Sequence, residues 1–324
     1  MNGIKKWIPA LLACIVVALM PTLGANDYYV TIFCQAIIYS IIVLGLNFIT
    51  GMAGQMNMGT AGVFALGAYT AALLSTKLNV SPWISLLASI VVGVLIGLLL
   101  GYPSLRVNGV YLSLTTIGFC EIVRQFLRTW NFAGGANGIR EIQQFNLFGL
   151  SIKTPTQNLY FLLVILVIFI AISDRIIRSK FGRAFIAVRD NVEAVETCGI
   201  NLANIKVMAF IVSTVFASIA GCLYASFNGY ISPTTFTTDL SVSFLVMLIL
   251  GGRGSIYGCL VGAFVVAFAP ELLRFLGDYY KLIYAVIILG AIVFNPEGLV
   301  ATPGRIRESI RKKKLSQQSG KGAC

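Results

Sequence analysis

Apolar stretches succeed one another along almost the whole chain, each closed by a short polar or glycine-bearing interruption. Their bounds are near 7–23, 29–49, 60–77, 82–101, 110–127, 159–172, 205–227, 240–250, 256–273 and 282–294. A helix of about 20 such residues crosses the hydrocarbon core of a bilayer. The pattern therefore predicts an all-α polytopic membrane protein of about eight to ten crossings. A single transmembrane domain is expected over residues 1–304, with a basic tail at 305–324. The first run, behind Lys5 and Lys6, is longer than the apolar part of a signal peptide and lacks a good cleavage site, so it reads as a retained helix. The 240–250 run is short and the stretch from Gly51 to Gly59 is dense in glycine. Both are expected to be broken or re-entrant rather than plain crossings.

Residues 174–204 depart from the pattern. Asp174, Arg175, Arg178, Lys180, Arg183, Arg189, Asp190, Glu193 and Glu196 stand between two spanning runs and must lie in water. Phe181, Phe185, Val188, Val192 and Val195 recur at steps of three and four, which predicts a short amphipathic helix or helix pair with one apolar face. Gly199 is suited to a left-handed cap that ends it. A cytoplasmic amino terminus and ten alternating crossings put Lys5, Lys6, Arg106, six basic residues of this loop, Arg253 and seven in the tail on one side, 17 of the 24 Lys and Arg. The positive-inside rule then places both termini and the loop in the cytoplasm.

Composition narrows the function classes. With 57% hydrophobic and 11% charged residues and a mean hydropathy of +0.87, the chain is no soluble globular protein. Its net charge of +12 gathers at helix ends and in the tail, where it serves anionic lipid rather than nucleic acid. Histidine is absent, which removes His-based catalysis, metal sites and proton relays. Five of the seven cysteines lie in apolar runs with no CxxC pair and read as small hydrophobes. No nucleophile and base constellation points to an enzyme, and no GxxxxGK[ST] loop is present to bind ATP.

Polar groups inside the apolar runs are the candidates for a pathway. Gln55, Asn57, Ser113, Thr115 and Thr116 offer dipoles to a zwitterion, and Gly51, Gly54 and Gly59 free the backbone beside them. For each hydroxyl the competing reading is a bond back to its own helix. Gly51, Gly54 and Gly62 recur at an offset of 200 as Gly251, Gly254 and Gly262. Either an internal repeat or plain small-residue packing accounts for that. Glu121 with Arg124, and Glu271 with Arg274, stand three apart on their helices and are either gate pairs or self-satisfied ion pairs. Trp7, Trp83 and Trp130 fall at run ends, as interfacial anchors do.

The sequence from Glu193 and Ala194 to Gly199 resembles the EAA-type loop with which ABC importer permeases dock on their ATPases. GMAGQMNMGTAGVFALGAYTAALL (51–74), RVNGVYLSLTTIGFCEIVR (106–124), GGANGI (134–139), GRAFIAVRDNVEAVETCGI (182–200), LGGRGSIYGCLVGA (250–263) and NPEGL (295–299) follow in the order and spacing of the LivM-type permeases for branched-chain amino acids. The likeness covers residues 35 to 300, with Cys259 where a proline is expected. It implies a permease subunit of a bacterial inner-membrane importer that receives leucine, isoleucine or valine from a periplasmic binding protein. The implied partners are a second, LivH-type permease and two ATPase subunits. ATP and Mg would sit on the ATPases, with no cofactor on this chain. In that reading Arg183, Phe185, Arg189, Glu193, Ala194 and Gly199 form the ATPase-coupling loop. Alternatives are an ABC permease for urea, another amino acid or a sugar, and, in a different class, an ion-coupled secondary transporter.

Overall fold

The computed structural model describes residues 27–107, 109–147, 150–151 and 154–273, with a few single positions beyond, Gly298 among them. The first apolar run, most of the tenth, Arg274 and the basic tail lie outside the described residues. In chain order the helices are α1 (Asp27–Leu46), α2 (Thr60–Lys77), α3 (Pro82–Ser104), α4 (Val110–Thr129), α5 (Pro155–Arg178), α6 (Lys180–Asp190), α7 (Val192–Thr197), α8 (Leu202–Asn228), α9 (Thr238–Gly251) and α10 (Ile256–Leu272). Sequence sets their ends. Pro82 and Pro155 open α3 and α5, where the missing N–H does no harm. The side chains of Asn201 and Ser255 cap α8 and α10 by accepting from the N–H groups of Asn204 and Gly258.

Eight of these helices run alternately up and down between two faces. On one face strand β1 (Ile139–Arg140) pairs antiparallel with the later strand Tyr230–Ile231. There too Trp83 Nε1 donates to the Asn146 carbonyl at 3.1 Å and Lys77 lies over the Phe132 ring. The other face carries α6 and α7. Between them α1 is buried on nearly every side, against α5, α8 and α10. The outward positions of α3 (Ile84, Leu87, Val91, Leu95, Leu99) and α5 (Val164, Ile168, Ile172) are exposed and wholly apolar, as lipid contact requires.

Close backbone packing joins α8 to α2 and α3. A Cβ on Gly67 would strike the Ser218 backbone, and one on Gly221 would strike the Phe64 carbonyl, so the two helices cross backbone to backbone. Ser218 Oγ donates to the Ser89 carbonyl at 2.7 Å and fastens α3 at the same level.

Helix α9 bears out the suspicion attached to its short run. Its 14 residues reach about 21 Å, less than the ~30 Å apolar slab. It begins inside the slab: Thr238 Oγ1 donates to Glu121 Oε1 at 3.3 Å, eight residues short of the α4 terminus. The connection before it dips inward, seating Phe236 against the rings of Phe64, Tyr69 and Tyr224.

Replacing Gly221 by valine should overpack the α2–α8 crossing by about 1–3 kcal/mol or more and lower the detergent-solubilised melting temperature. Gly118→Ala, on an open face of α4, should leave it unchanged.

Candidate functional site

Helix α1 does not end cleanly. It widens into a π-helical turn, Asn47–Met52, closed by Ala53, and the chain then runs non-helical to Gly59. The depth of this break is fixed by its neighbours. Gly51 lies level with Gly254, whose N–H donates to Asn47 Oδ1 at 2.7 Å. Ala61 N–H donates to Ser241 Oγ at 2.8 Å, ten residues and about 15 Å of helix in from the α9 end at Gly251. Non-helical backbone therefore crosses about half of the apolar slab.

Such backbone survives only if every polar group is satisfied internally. Ala53 N–H donates to the Phe48 carbonyl and Gln55 N–H to that of Ile49, each at 3.0 Å. Thr50 Oγ1 donates to the Gln55 carbonyl at 3.0 Å. Thr116 Oγ1 accepts from Met58 N–H at 3.0 Å, and Asn57 Oδ1 accepts from Gly59 N–H at 2.9 Å. Ser113 Oγ reaches the Met56 carbonyl at 3.5 Å. Gly59 itself packs on the Thr116 carbonyl, where a side chain has no room.

These contacts sort the sequence candidates. Gly51, Gly54, Gln55, Asn57, Gly59 and Thr116 come together in the break, and Gly251 and Gly254 join them from the turn between α9 and α10. The two glycine clusters thus meet in space. Thr115 does not belong: it is exposed on the opposite side of α4, with its hydroxyl bonded back to the Tyr111 carbonyl. Periodicity explains the miss, since neighbours on a helix point about 100° apart. Glu121 and Arg124 do pair, at 2.6 Å within α4, and Glu121 also accepts from Thr238. Glu271 accepts from Tyr28 Oη at 2.6 Å, while its expected partner Arg274 lies outside the described residues.

The polar loop forms the expected helix pair with one correction. Phe185, Val188 and Val195 are buried, Phe185 fully so at 0% exposure, whereas Phe181 and Val192 are exposed. Asn191 takes an extended conformation and caps α7 through Ala194 N–H at 3.0 Å, which breaks the single helical register assumed from spacing. The buried face of α6 is spent on this chain's own helices. Outward positions include Phe181, Arg183, Ile186, Val192, Glu193 and Ala194. Gly199 has φ +75 and closes α7 with Ile200 N–H bonded to the Val195 carbonyl.

Helix α6 and the break touch directly. Arg189 Nη1 donates to the Gly51 carbonyl at 3.0 Å, and a Cβ on Gly54 would sit 2.8 Å from Arg189 Cγ. At φ +71, Gly54 is doubly restricted to glycine. Sequence reading missed Asn47, which ties the two glycine turns together at 1% exposure. Its signal was a lone amide near the end of an apolar run.

A family model for the permease component of branched-chain amino acid transport systems matches residues 28–294. The chain belongs to that family. It is 32% identical over 314 residues to the high-affinity branched-chain amino acid transport system permease protein LivM of Salmonella typhimurium, covering 90% of this chain and 74% of LivM. The corresponding protein LivH of that organism is 24% identical over 286 residues, 82% of this chain and 92% of LivH. LsrC of Escherichia coli, an autoinducer 2 import system permease protein, is 27% identical over 336 residues, 95% of this chain and 90% of LsrC. No solved structure matches.

Asn47→Ala should strand the buried Gly254 N–H and destabilise the solubilised permease by about 1–3 kcal/mol. A fall in melting temperature checks this, with Asn47→Asp, which keeps the acceptor, falling less.

Proposed function

We propose that this permease is one of two membrane subunits of an ATP-driven importer in a bacterial inner membrane, and that it moves branched-chain amino acids delivered by a periplasmic binding protein. The second membrane subunit is a LivH-type permease. Two ATPase subunits carry the ATP and Mg and dock on the face that holds α6 and α7. The basic residues Arg175, Arg178, Lys180, Arg183, Arg189 and Lys206 border that face, and the positive-inside rule makes it the cytoplasmic one. With an even number of crossings both termini lie there too. Branched-chain amino acids are favoured over the cargo of LsrC by the higher identity to LivM.

The observation that carries the reading is the Arg189–Gly51 bond. A loop that merely connected two helices has no need to hold a broken transmembrane backbone. Here the loop's α6 is anchored by Phe185 and Val188, so force on its outward face moves a rigid helix rather than a tether. Arg189 passes that movement to Gly51 and Gly54, and Asn47 passes it on to the Gly254 turn. ATPase closure pulls α6, the break changes shape, and the flanking helices tilt between inward-open and outward-open arrangements. Glu193, Ala194 and Gly199 shape the docking end of the loop.

The test is reconstitution of the purified assembly in vesicles. Leucine uptake that requires ATP, the ATPases and the binding protein is expected, and uptake by this chain without ATPases would overturn the reading. In the same vesicles Arg189→Ala removes a charge-assisted hydrogen bond of about 1.5–3 kcal/mol. It should cut uptake about tenfold or more while ATP hydrolysis continues, since 1.4 kcal/mol is a factor of ten.

A further inference from the structure

Most side-chain hydroxyls and amides named around the break bond main-chain groups; those of Gln55 and Thr60 do not. Thr50, Asn57, Ser113 and Thr116 each hold a main-chain group. Gln55 holds none: it is 8% exposed, and both Nε2 and Oε1 are buried without a hydrogen-bond partner. The backbone of Gln55 is already satisfied through Ile49 and Thr50, so folding of the break has no use for this amide. Thr60 Oγ1, at the start of α2, is likewise buried and unpartnered.

We propose that the Gln55 amide is a cargo-binding group of this subunit and that it holds a net-neutral zwitterion, an α-amino acid. This rests on the import function proposed above. The chemistry matches on both atoms, because Nε2 donates to a carboxylate and Oε1 accepts from an ammonium group. The surroundings match as well. Among the described residues the buried polar side chains are serine, threonine, asparagine and glutamine, all uncharged. The charged group beside the break, Arg189, is engaged by the Gly51 carbonyl and Asp190, whereas a zwitterion brings its own counter-charge and can leave again. Gly54 is exposed at the surface with the Arg189 side chain against it, so a shift of Arg189 acts on the strand that carries the buried amide. Cargo contact and ATPase coupling therefore act on adjacent residues.

The experiment uses the whole importer in vesicles with saturating binding protein and labelled L-leucine, comparing wild type with Gln55→Leu and Gln55→Asn. Gln55→Leu deletes both polar atoms at similar size. It should lower ATP-driven uptake tenfold or more and leave binding-protein-stimulated ATP hydrolysis within twofold of wild type. Its melting temperature should be equal or higher, because a buried unsatisfied amide has been replaced by an apolar group. Gln55→Asn should fall between the two in uptake. Uptake by Gln55→Leu within twofold of wild type would overturn the inference and leave the amide as the seat of a buried water. Uptake, hydrolysis and melting temperature falling together would also overturn it, as the mark of a structural residue. Absence of leucine uptake in the wild-type importer would instead remove the proposed function, and this inference with it.

Discussion

Backbone that leaves its helix inside an apolar slab has no water to turn to, and this constraint governs the permease. From Gly51 to Ala61 the main chain must be satisfied by neighbours, and those neighbours are drawn from four separate elements: the π turn, α4, α9 and α6. The break consequently cannot be shifted alone. Any change in one supporting element withdraws a hydrogen bond from backbone that has no substitute. That is how a surface helix acquires a hold on the membrane interior.

The resulting arrangement separates strength from mobility. Helices α2, α3 and α8 are locked by backbone contact and by the Ser218–Ser89 bond, and α1 is packed on all sides. The α6 attachment is different in kind, with a few apolar side chains and a single arginine spanning to a carbonyl. An interface of that second kind gives up few contacts when it moves, whereas close-packed backbone gives up many.

Much of this was legible in residues alone. Runs of apolar residues located the spanning helices because lipid imposes the same demand on every exposed position, and the glycine cluster at 51–59 announced the break because nothing else frees backbone there so cheaply. The amphipathic loop was legible too, although Phe185, expected in the ATPase-coupling set, is turned inward together with Val188. Periodicity reports that a helix has an apolar side but not which body covers it. Thr115 was misjudged for a related reason, since adjacent threonines look alike in sequence and only the helical angle between them decides which one meets the break. The Asn47–Gly254 and Ala61–Ser241 contacts were out of reach, because they join positions 207 and 180 residues apart.

The crossing at Gly67 and Gly221 has a geometric consequence for transport. Backbones in contact cannot slide, so α2 is held there as on a fulcrum. Gly67 stands seven residues from Thr60 and ten from Lys77, about 10 Å and 15 Å of helix. A rigid α2 tilting about that point would carry a displacement of its Thr60 end to its Lys77 end reversed in direction and enlarged about one and a half times.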